Sequence, residues 1–223
     1  MKVSLVYTGV TPELIELVER EVKSQLPADT EIVSHKDPTI IAEVAKIGYV
    51  TKEPAARLVK MFMESVEENV DGILNICSSV GEVADACQDL ARYTGVPIVR
   101  IDEEMCREAV RQGKRIGVMA TLSSTLIPTK NTVLRVAREM GKHVEMVDAL
   151  VEGGFGLNPD QFRELMTKYA KEIADKVDVI LFAQGSMAYC EQYIADIIGK
   201  PVLSSPRFGA IALRRAMEAK GLM

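Results

Sequence analysis

The stretch Asp71-Gly72-Ile73-Leu74-Asn75-Ile76-Cys77-Ser78-Ser79 is matched later in the chain by Asp178-Val179-Ile180-Leu181-Phe182-Ala183-Gln184-Gly185-Ser186. In both copies an Asp opens a short apolar run with the length and composition of a buried strand. A polar residue stands six positions after the Asp, and small residues that can begin a helix follow it. The two copies predict two similar α/β units. They differ at the strand end, which holds Cys77 in the first copy and Gln184 in the second.

The repeat extends to the strand patterns on both sides of these stretches. Each half of the chain holds four apolar runs in the same order, at residues 2–8, 31–33, 71–77 and 95–100, and then at 115–121, 144–147, 178–184 and 199–204. Helical patterns separate them, at residues 14–26, 53–68 and 82–93, and then at 129–140, 160–176 and 187–198. Strands and helices that alternate at these lengths predict an α/β fold of two pseudosymmetric α/β domains, each with a four-stranded parallel sheet flanked by helices.

The junction between the two domains is predicted at Arg111-Gln112-Gly113-Lys114, between a helix and the first strand of the second copy. This boundary gives an N-terminal α/β domain of residues 1–113 and a C-terminal α/β domain of residues 114–206. The remaining helix, within residues 207–223, is expected to pack back on the first domain. Its counterpart at residues 103–112 is expected to pack in the opposite direction, on the second domain. Gly153-Gly154-Phe155-Gly156 is interpreted as a connection after a strand and not as a nucleotide loop, because no phosphate-binding pattern follows it.

The composition is that of a soluble, enzyme-sized protein. Its 223 residues are 48% hydrophobic, which is enough for one large core or two smaller ones. A net charge of −5 without any basic run argues against a nucleic-acid surface, and no apolar run approaches the roughly 20 residues of a membrane helix. Residues 1–5 have the pattern of a strand rather than of a signal peptide, and the four cysteines lack paired spacing. We therefore expect a cytoplasmic protein with reduced thiols, whose partners include neither nucleic acid nor membrane.

Cys77 stands where the strand pattern of residues 73–76 ends and where Ser78 and Ser79 indicate the start of a helix. The positive end of a helix dipole favours the thiolate, so a cysteine in this place is a candidate acid/base. The hydroxyls and free N–H groups of Ser78 and Ser79 are suited to a carboxylate or phosphate. The alternative is that Cys77 is a small buried hydrophobe, as most free cysteines are. Its place at the carboxyl end of a strand in a duplicated α/β unit favours the functional interpretation.

Hydroxyl and amide side chains also follow other predicted strands. Gln184 cannot act as a base at neutral pH, but its amide can hydrogen-bond a polar group of a ligand. Gly185 permits close approach of a backbone, and Ser186 can donate to an anion or cap the next helix. Hydroxyls at the end of the first strand of each copy can either cap a helix or form an anion pocket, and they belong to Thr8, Thr121, Ser123, Ser124 and Thr125.

The sequence carries no metal or cofactor motif. His35 and His143 have no partner at ligand spacing, and the chain has no P-loop, no G-x-G-x-x-G fingerprint and no Ser-His-Asp arrangement. Cys87, Cys106 and Cys190 lie in helical patterns, where packing in the core is the usual role of a free cysteine. A metal site is therefore not expected.

Asn75-x-Cys77-Ser78-Ser79 after the third strand and Ala120-Thr121-x-x-Ser124-Thr125 after the fifth resemble the aspartate/glutamate/hydantoin racemase superfamily, and the resemblance covers almost the whole chain. It implies a cofactor-independent enzyme with a site between two pseudosymmetric domains. Homodimers are common in the superfamily, so a homodimer is a possible partner state of this chain. In racemases of that superfamily two cysteines flank the substrate's α-carbon, one removing a proton and the other returning one to the opposite face. The resemblance implies that Ser78, Ser79, Thr121 and Ser124 hold a small carboxylate substrate. Tyr49 matches a tyrosine that contacts substrate in the decarboxylase and maleate isomerase branches.

The chain departs from this pattern at Gln184, which stands where the second cysteine would be, so racemisation by a thiol pair is in doubt. The first hypothesis is a racemase- or epimerase-type isomerase of a small carboxylic acid or amino acid, with Cys77 as thiolate acid/base and water or another group as the second base. The second is a single-cysteine lyase similar to arylmalonate decarboxylase, or an enzyme similar to maleate isomerase. The third is a non-catalytic protein that binds a small acid. The position of Cys77 at a helix start favours an enzyme.

Overall fold

The computed structural model describes residues 1–154 and 157–223, so that Phe155 and Gly156, within the connection interpreted above, lie outside the described residues. The elements of residues 1–102 are, in chain order, β1 (Lys2–Tyr7), α1 (Pro12–Gln25), β2 (Glu31–Lys36), α2 (Pro38–Ile47), α3 (Lys52–Glu67), β3 (Gly72–Ile76), α4 (Gly81–Ala86), α5 (Gln88–Thr94) and β4 (Ile98–Arg100). Those of residues 103–223 are α6 (Glu103–Gln112), β5 (Arg115–Ala120), α7 (Ser123–Glu139), β6 (Glu145–Leu150), α8 (Pro159–Ala174), β7 (Val179–Phe182), α9 (Glu191–Ile198), β8 (Val202–Ser204) and α10 (Ser205–Ala219). Two 3₁₀ turns, Ser78–Val80 and Gly185–Cys190, follow β3 and β7.

The chain divides into two compact units, each built on a four-stranded parallel sheet. The first unit comprises Met1–Asp102 and Pro206–Met223 and has the strand order β2-β1-β3-β4. The second comprises Glu103–Ser205 and repeats this order as β6-β5-β7-β8. The paired strands of both sheets run parallel. The predicted fold class is therefore confirmed.

The second unit begins at Glu103, and not after residue 113 as the sequence pattern indicated. Helix α6 packs on α7 and β7 and belongs to the second unit, although a boundary after residue 113 assigned it to the first. Helix α10 belongs to the first unit, where Leu213 and Met217 share an apolar core with Leu5 and Leu74. The strand and helix pattern locates the elements along the chain. The apolar face of each helix decides which sheet it covers.

The aspartate that opens each repeated stretch joins the first and third strands of its sheet. Asp71 Oδ2 accepts a hydrogen bond from the backbone N–H of Lys2 at 2.8 Å. Asp178 Oδ2 accepts from the N–H groups of Lys114 and Arg115 at 3.0 and 2.8 Å. The Arg115 guanidinium also donates to Asp178 Oδ1, and these bonds lower the pKa of the Asp178 carboxyl to about 2. The repeated aspartate thus has the same structural role at the amino ends of both sheets.

Helices cover both faces of the first sheet because successive strand residues point to opposite sides. Val6 and Ile73 face a core that includes Phe62 of α3, whereas Leu5 and Leu74 face the core shared with α1 and α10. In the second unit, Met119 and Ile180 pack in a core with side chains of α8 and α9. Within the described ranges, no helix combines the length and apolar character required to cross a lipid bilayer.

Helix α2 was not expected from the sequence. It begins after Asp37, whose Oδ1 accepts from the N–H of Thr39 at 3.0 Å, and Pro38 occupies its first turn. An Asp followed by Pro is a common helix start, so the signal was present. The helix ends at Gly48, whose φ of 96° lies in the left-handed region.

Two other helices differ from the expectation in their extent. The pattern over residues 82–93 forms two helices, α4 and α5, that meet at Cys87. Helix α7 begins at Ser123 and not at residue 129, with Pro128 inside it. At the sixth helical position a proline removes one backbone hydrogen bond and its ring crowds the carbonyl four residues earlier, yet α7 runs from Ser123 through Glu139.

Candidate active site

Cys77 stands at the carboxyl edge of the first sheet, directly after β3 and before the 3₁₀ turn Ser78–Val80. Its backbone is extended, with φ −165° and ψ 115°. Cys77 is partly exposed, whereas the other three cysteines, all within the described chain, are buried. The carboxyl ends of parallel strands are where α/β folds place their ligands. Cys77 is therefore the thiol that a ligand at this edge can reach.

The Cys77 thiol is surrounded by groups that act on its pKa in opposite directions. Burial raises the pKa of this thiol above its ordinary value, and the negative charge of Asp102 adds a smaller increase. The Thr8 hydroxyl and the backbone N–H groups of Ser79 and Val80 lower the pKa by hydrogen bonding, but by less. The net direction favours the neutral thiol over the thiolate, and the role of Cys77 as a thiolate acid/base stays a prediction. The dipole is weak here because the turn is 3₁₀ and the helix after it has only six residues.

Two buried polar atoms at this edge are available to a ligand. Asn75 Nδ2 donates to the carbonyl of Cys77 at 3.2 Å, which fixes the amide. Its Oδ1 is buried and has no hydrogen-bond partner among the residues that the structure describes. The same holds for Thr8 Oγ1, apart from its interaction with the Cys77 thiol. Ser78 and Ser79 are buried next to them. Buried polar atoms without a partner are uncommon, and a polar group of a ligand or a water would satisfy these two.

Gln184 occupies the position in the second sheet that Cys77 occupies in the first, directly before a 3₁₀ turn. Its Oε1 accepts from the backbone N–H of Thr121 at 2.8 Å, and its Nε2 donates to Thr121 Oγ1 at 2.8 Å. Thr121 follows β5, so the two residues join the carboxyl ends of neighbouring strands. The amide is held in a fixed orientation by this bond pair and has no titratable proton near neutral pH.

The other predicted binding residues of the second unit lie around this pair. Ser124 and Thr125 are buried in the first turn of α7, and Ser124 Oγ lacks a hydrogen-bond partner within residues 1–154 and 157–223. Gly185 is half-buried and Ser186 is exposed, both in the turn after Gln184. Among the described residues, the second strand edge thus presents the unpartnered buried hydroxyl of Ser124 and, after β8, that of Ser205, together with a turn that solvent reaches.

Tyr49 and Cys190, which were also considered from the sequence, do not lie among the buried polar groups described above. Tyr49 follows α2 and is 67% exposed, so its match to a substrate-contacting tyrosine stays a prediction. Cys190 is buried in the core of the second unit, as its helical pattern indicated. Burial raises the pKa of its thiol, against smaller effects of Tyr189 and Arg163 that lower it.

Sequence reasoning missed a buried ion cluster beside the turn that follows Cys77. Arg100, 4% exposed, ends β4 and donates through Nε and Nη2 to the two carboxylate oxygens of Asp102, each at 3.0 Å. Its Nη1 donates to Asp85 of α4 at 2.6 Å. Burial by itself would lower the pKa of Arg100, but the two carboxylates raise it above its usual range. An Arg-x-Asp pair at the end of an apolar strand was the available signal.

The described part of the chain holds no cluster of three or more His, Cys, Asp or Glu side chains that could bind a metal ion.

The sequence and the fold were compared with known proteins. The family model described as Asp/Glu/Hydantoin racemase matches residues 6–213. No curated protein matches the sequence. Among solved structures, the chain is similar to glutamate racemase RacE1 from Bacillus anthracis, with a TM-score of 0.73 and 17% identity, over 99% of this chain and 82% of that one.

Two further structures show the same likeness. Allantoin racemase from Klebsiella pneumoniae has a TM-score of 0.66 and 17% identity, over 100% of this chain and 89% of that one. Arylmalonate decarboxylase has a TM-score of 0.57 and 13% identity, over 97% of this chain and 92% of that one. Likeness at these identities shows that the fold is shared.

Proposed function

The chain belongs to the Asp/Glu/hydantoin racemase family, and from this we propose that it is a cofactor-independent enzyme that transfers a proton at the α-carbon of a small carboxylic acid or amino acid. Cys77 is the acid/base in this proposal, and a racemase- or epimerase-type isomerase is the first candidate. The observation that carries it is the surroundings of Cys77, a partly exposed thiol in contact with the Thr8 hydroxyl and two backbone N–H groups.

The chemistry requires both a proton carrier and donors for a developing negative charge. A proton next to a carboxylate is very weakly acidic, so the enediolate that forms must be stabilised by hydrogen-bond donors fixed in advance. Two buried hydroxyls are candidate donors. Thr8 in the first unit interacts with the Cys77 thiol, and Ser124 in the second has no partner among the described residues. Asn75 Oδ1 is a buried acceptor, which suits an N–H group of an amino acid or amide.

A single-cysteine decarboxylase is the second candidate, and two observations favour it. Gln184 holds the position of the second cysteine and is bonded to Thr121, so that position supplies no second thiol. Burial raises the pKa of Cys77, which keeps this thiol protonated at neutral pH. A neutral thiol is ready to donate a proton to the carbanion left by loss of carbon dioxide, whereas an isomerase must first form the thiolate.

The test is proton exchange at the α-carbon. The protein is incubated in heavy water with acidic amino acids, hydroxy acids and substituted malonates, and the products are followed by NMR and chiral chromatography. Cys77→Ala and the near-isosteric Cys77→Ser are the control variants. Exchange with inversion that both variants lose supports the isomerase. Release of carbon dioxide from a malonate, with deuterium incorporated at the α-carbon in one configuration only, supports the decarboxylase.

Two results would contradict the proposal. Turnover that persists in both Cys77 variants would remove Cys77 from the chemistry. Binding of a small acid that is unchanged by Cys77→Ala, with no exchange or decarboxylation of that acid, would indicate a binding protein.

A further inference from the structure

The segment after Cys77 supplies the backbone N–H groups, of Ser79 and Val80, that act on the Cys77 thiol. Gly81, the first residue of α4, lies against the buried Arg100. The turn Ser78–Val80 leads into α4, and the N–H of Gly81 donates to the carbonyl of Ser78. A Cβ added to Gly81 would lie 2.3 Å from Arg100 Nη2 and 2.4 Å from Arg100 Cζ. Only a glycine permits this approach, so the guanidinium occupies the space next to the start of the helix.

The guanidinium is fixed on its other sides. Asp102 binds it through two parallel hydrogen bonds at 3.0 Å, and Asp102 is 1% exposed. Asp85, one helical turn beyond Gly81, accepts from Nη1 at 2.6 Å. A bidentate pair of this kind fixes the plane of the guanidinium as well as its position. Arg100 therefore joins the end of β4 to the helix whose first turn acts on Cys77.

A contact of the same kind occurs in the second unit. Ser204 ends β8 and is hydrogen-bonded to Glu191, the first residue of α9, which follows the turn after Gln184. Both units thus join their fourth strand to the helix behind the residue at the third strand end. In the first unit the contact is ionic and buried, and it lies behind the thiol.

We propose that Arg100 is a positioning residue for the Cys77 thiol. This role rests on the proposed function of Cys77, but its effect on the thiol can be measured without any substrate. By holding Gly81 and Asp85, the Arg100 guanidinium keeps the backbone N–H groups of Ser79 and Val80 directed at Cys77 Sγ. Among the charged groups near the thiol, Asp102 acts on it directly. Arg100 acts through its hydrogen bonds with Asp102, and Asp85 of α4 acts through its hydrogen bond with Arg100. Arg100 itself does not contact the reacting atoms.

The test measures the rate of Cys77 alkylation by iodoacetamide against pH, read by mass spectrometry of the Cys77 peptide. Arg100→Lys keeps the charge but removes the planar fork, so the N–H donors lose their alignment and Asp102 is less well neutralised. Both changes disfavour the thiolate, and we expect the alkylation midpoint to rise by about half a pH unit or more. Circular dichroism verifies that the variant is folded.

Gly81→Ala is a second route to the same effect. Its methyl group takes the space of Arg100 Nη2, so the guanidinium must leave its place. We expect the midpoint to rise here as well, and the double variant Gly81→Ala/Arg100→Lys to shift it no further than the larger single change, because both act through one contact. Arg115→Lys is the matched control, since Arg115 forms a similar bond with Asp178 in the second unit and should leave the midpoint unchanged.

Two outcomes would overturn the positioning role. One is a lower unfolding temperature of Arg100→Lys with an unchanged midpoint, which would make Arg100 structural only. The other is an equal shift in Arg115→Lys. Either result leaves the proposed function standing if Cys77→Ala still abolishes proton exchange. Conversely, a shifted midpoint in a protein without exchange activity would support the positioning of the thiol and count against the proposed reaction.

Discussion

Gln184 and Thr121 are joined by reciprocal hydrogen bonds, in which the amide oxygen accepts from the Thr121 backbone and the amide nitrogen donates to its hydroxyl, both at 2.8 Å. In the first unit the corresponding residues are Cys77 and Thr8, where the hydroxyl acts on the thiol. Each unit therefore pairs a threonine after its first strand with the residue that follows its third strand. The two pairs differ in whether they include a group that can carry a proton.

Replacing Gln184 with cysteine tests whether the missing second thiol limits the chemistry. Gln184→Cys removes the amide and places a thiol beside Thr121, and we expect exchange with inversion at the α-carbon to increase about tenfold or more, as general acid–base groups contribute at least this much. Chiral analysis in heavy water gives the rate. Gln184→Ser serves as the control without a thiol. Equal inversion rates in the two variants would show that a second thiol at this position has no role.

The Thr8 hydroxyl can be removed with little structural cost, because it is buried and its interaction is with the thiol. We expect Thr8→Val to change the free energy of unfolding by less than about 1 kcal/mol. Its rate of proton exchange should fall about 10- to 100-fold, as for the loss of one fixed donor. Urea unfolding and exchange kinetics measure the two effects. Thr8→Ser keeps the hydroxyl and should restore the rate, and a stability loss with unimpaired exchange would refute this role.

The raised pKa of Cys77 predicts a definite alkaline pH dependence. Burial raises the folded-state pKa above the value of about 8.5 for a free cysteine, so the alkylation midpoint of Cys77 should lie above that value. The stability that goes with the neutral thiol is fully present below the unfolded-state pKa and is lost as the pH rises through the folded-state pKa. Urea midpoints from pH 7 to 10 should therefore fall more in the native protein than in Cys77→Ser. The opposite order would contradict the direction of the shift.

The lowered pKa of Asp178 predicts how the stability of the protein changes at acidic pH. Its pKa of about 2 lies below the unfolded-state value of about 3.9, because the Arg115 guanidinium and two backbone N–H groups favour the carboxylate. Its contribution to stability is present above pH 4 and is lost as the pH falls through the folded-state pKa. Asp178→Asn should be less stable at pH 6 and show a flatter decline between pH 4 and 2. Parallel acid unfolding curves for the two proteins would be inconsistent with this assignment.

The duplicated pattern allowed much of the fold to be predicted. The places of the eight strands along the chain and the parallel sheets follow from the repeated apolar runs after Asp71 and Asp178 and from the helical patterns in between. The order of the strands within each sheet required the structure. The start of α7 was predicted at residue 129 and lies at Ser123, because the helix continues through Pro128. The sequence indicated that α6 packs on the second domain, but the exact boundary of the units, after Asp102, depends on packing.

The candidate site was less predictable because its interactions join residues far apart in sequence. Cys77 and Gln184 could be identified by their places after β3 and β7. The bond between Gln184 and Thr121 spans 63 residues, and no local pattern indicates it. The direction of the Cys77 pKa shift also required the structure, since desolvation by the surrounding residues outweighs the local N–H donors that the sequence suggested.

The path of the chain has a consequence for how the protein is made. The second unit is continuous in sequence, Glu103–Ser205, whereas the first is completed only by Pro206–Met223. During synthesis from the amino terminus, the sheet that carries Cys77 is made first but lacks the Leu213 and Met217 side chains of its core until the last residues emerge from the ribosome. The unit synthesised first is therefore expected to be the last to finish folding. A released chain that ends at residue 205 should have the core of the first unit exposed beside a complete second unit.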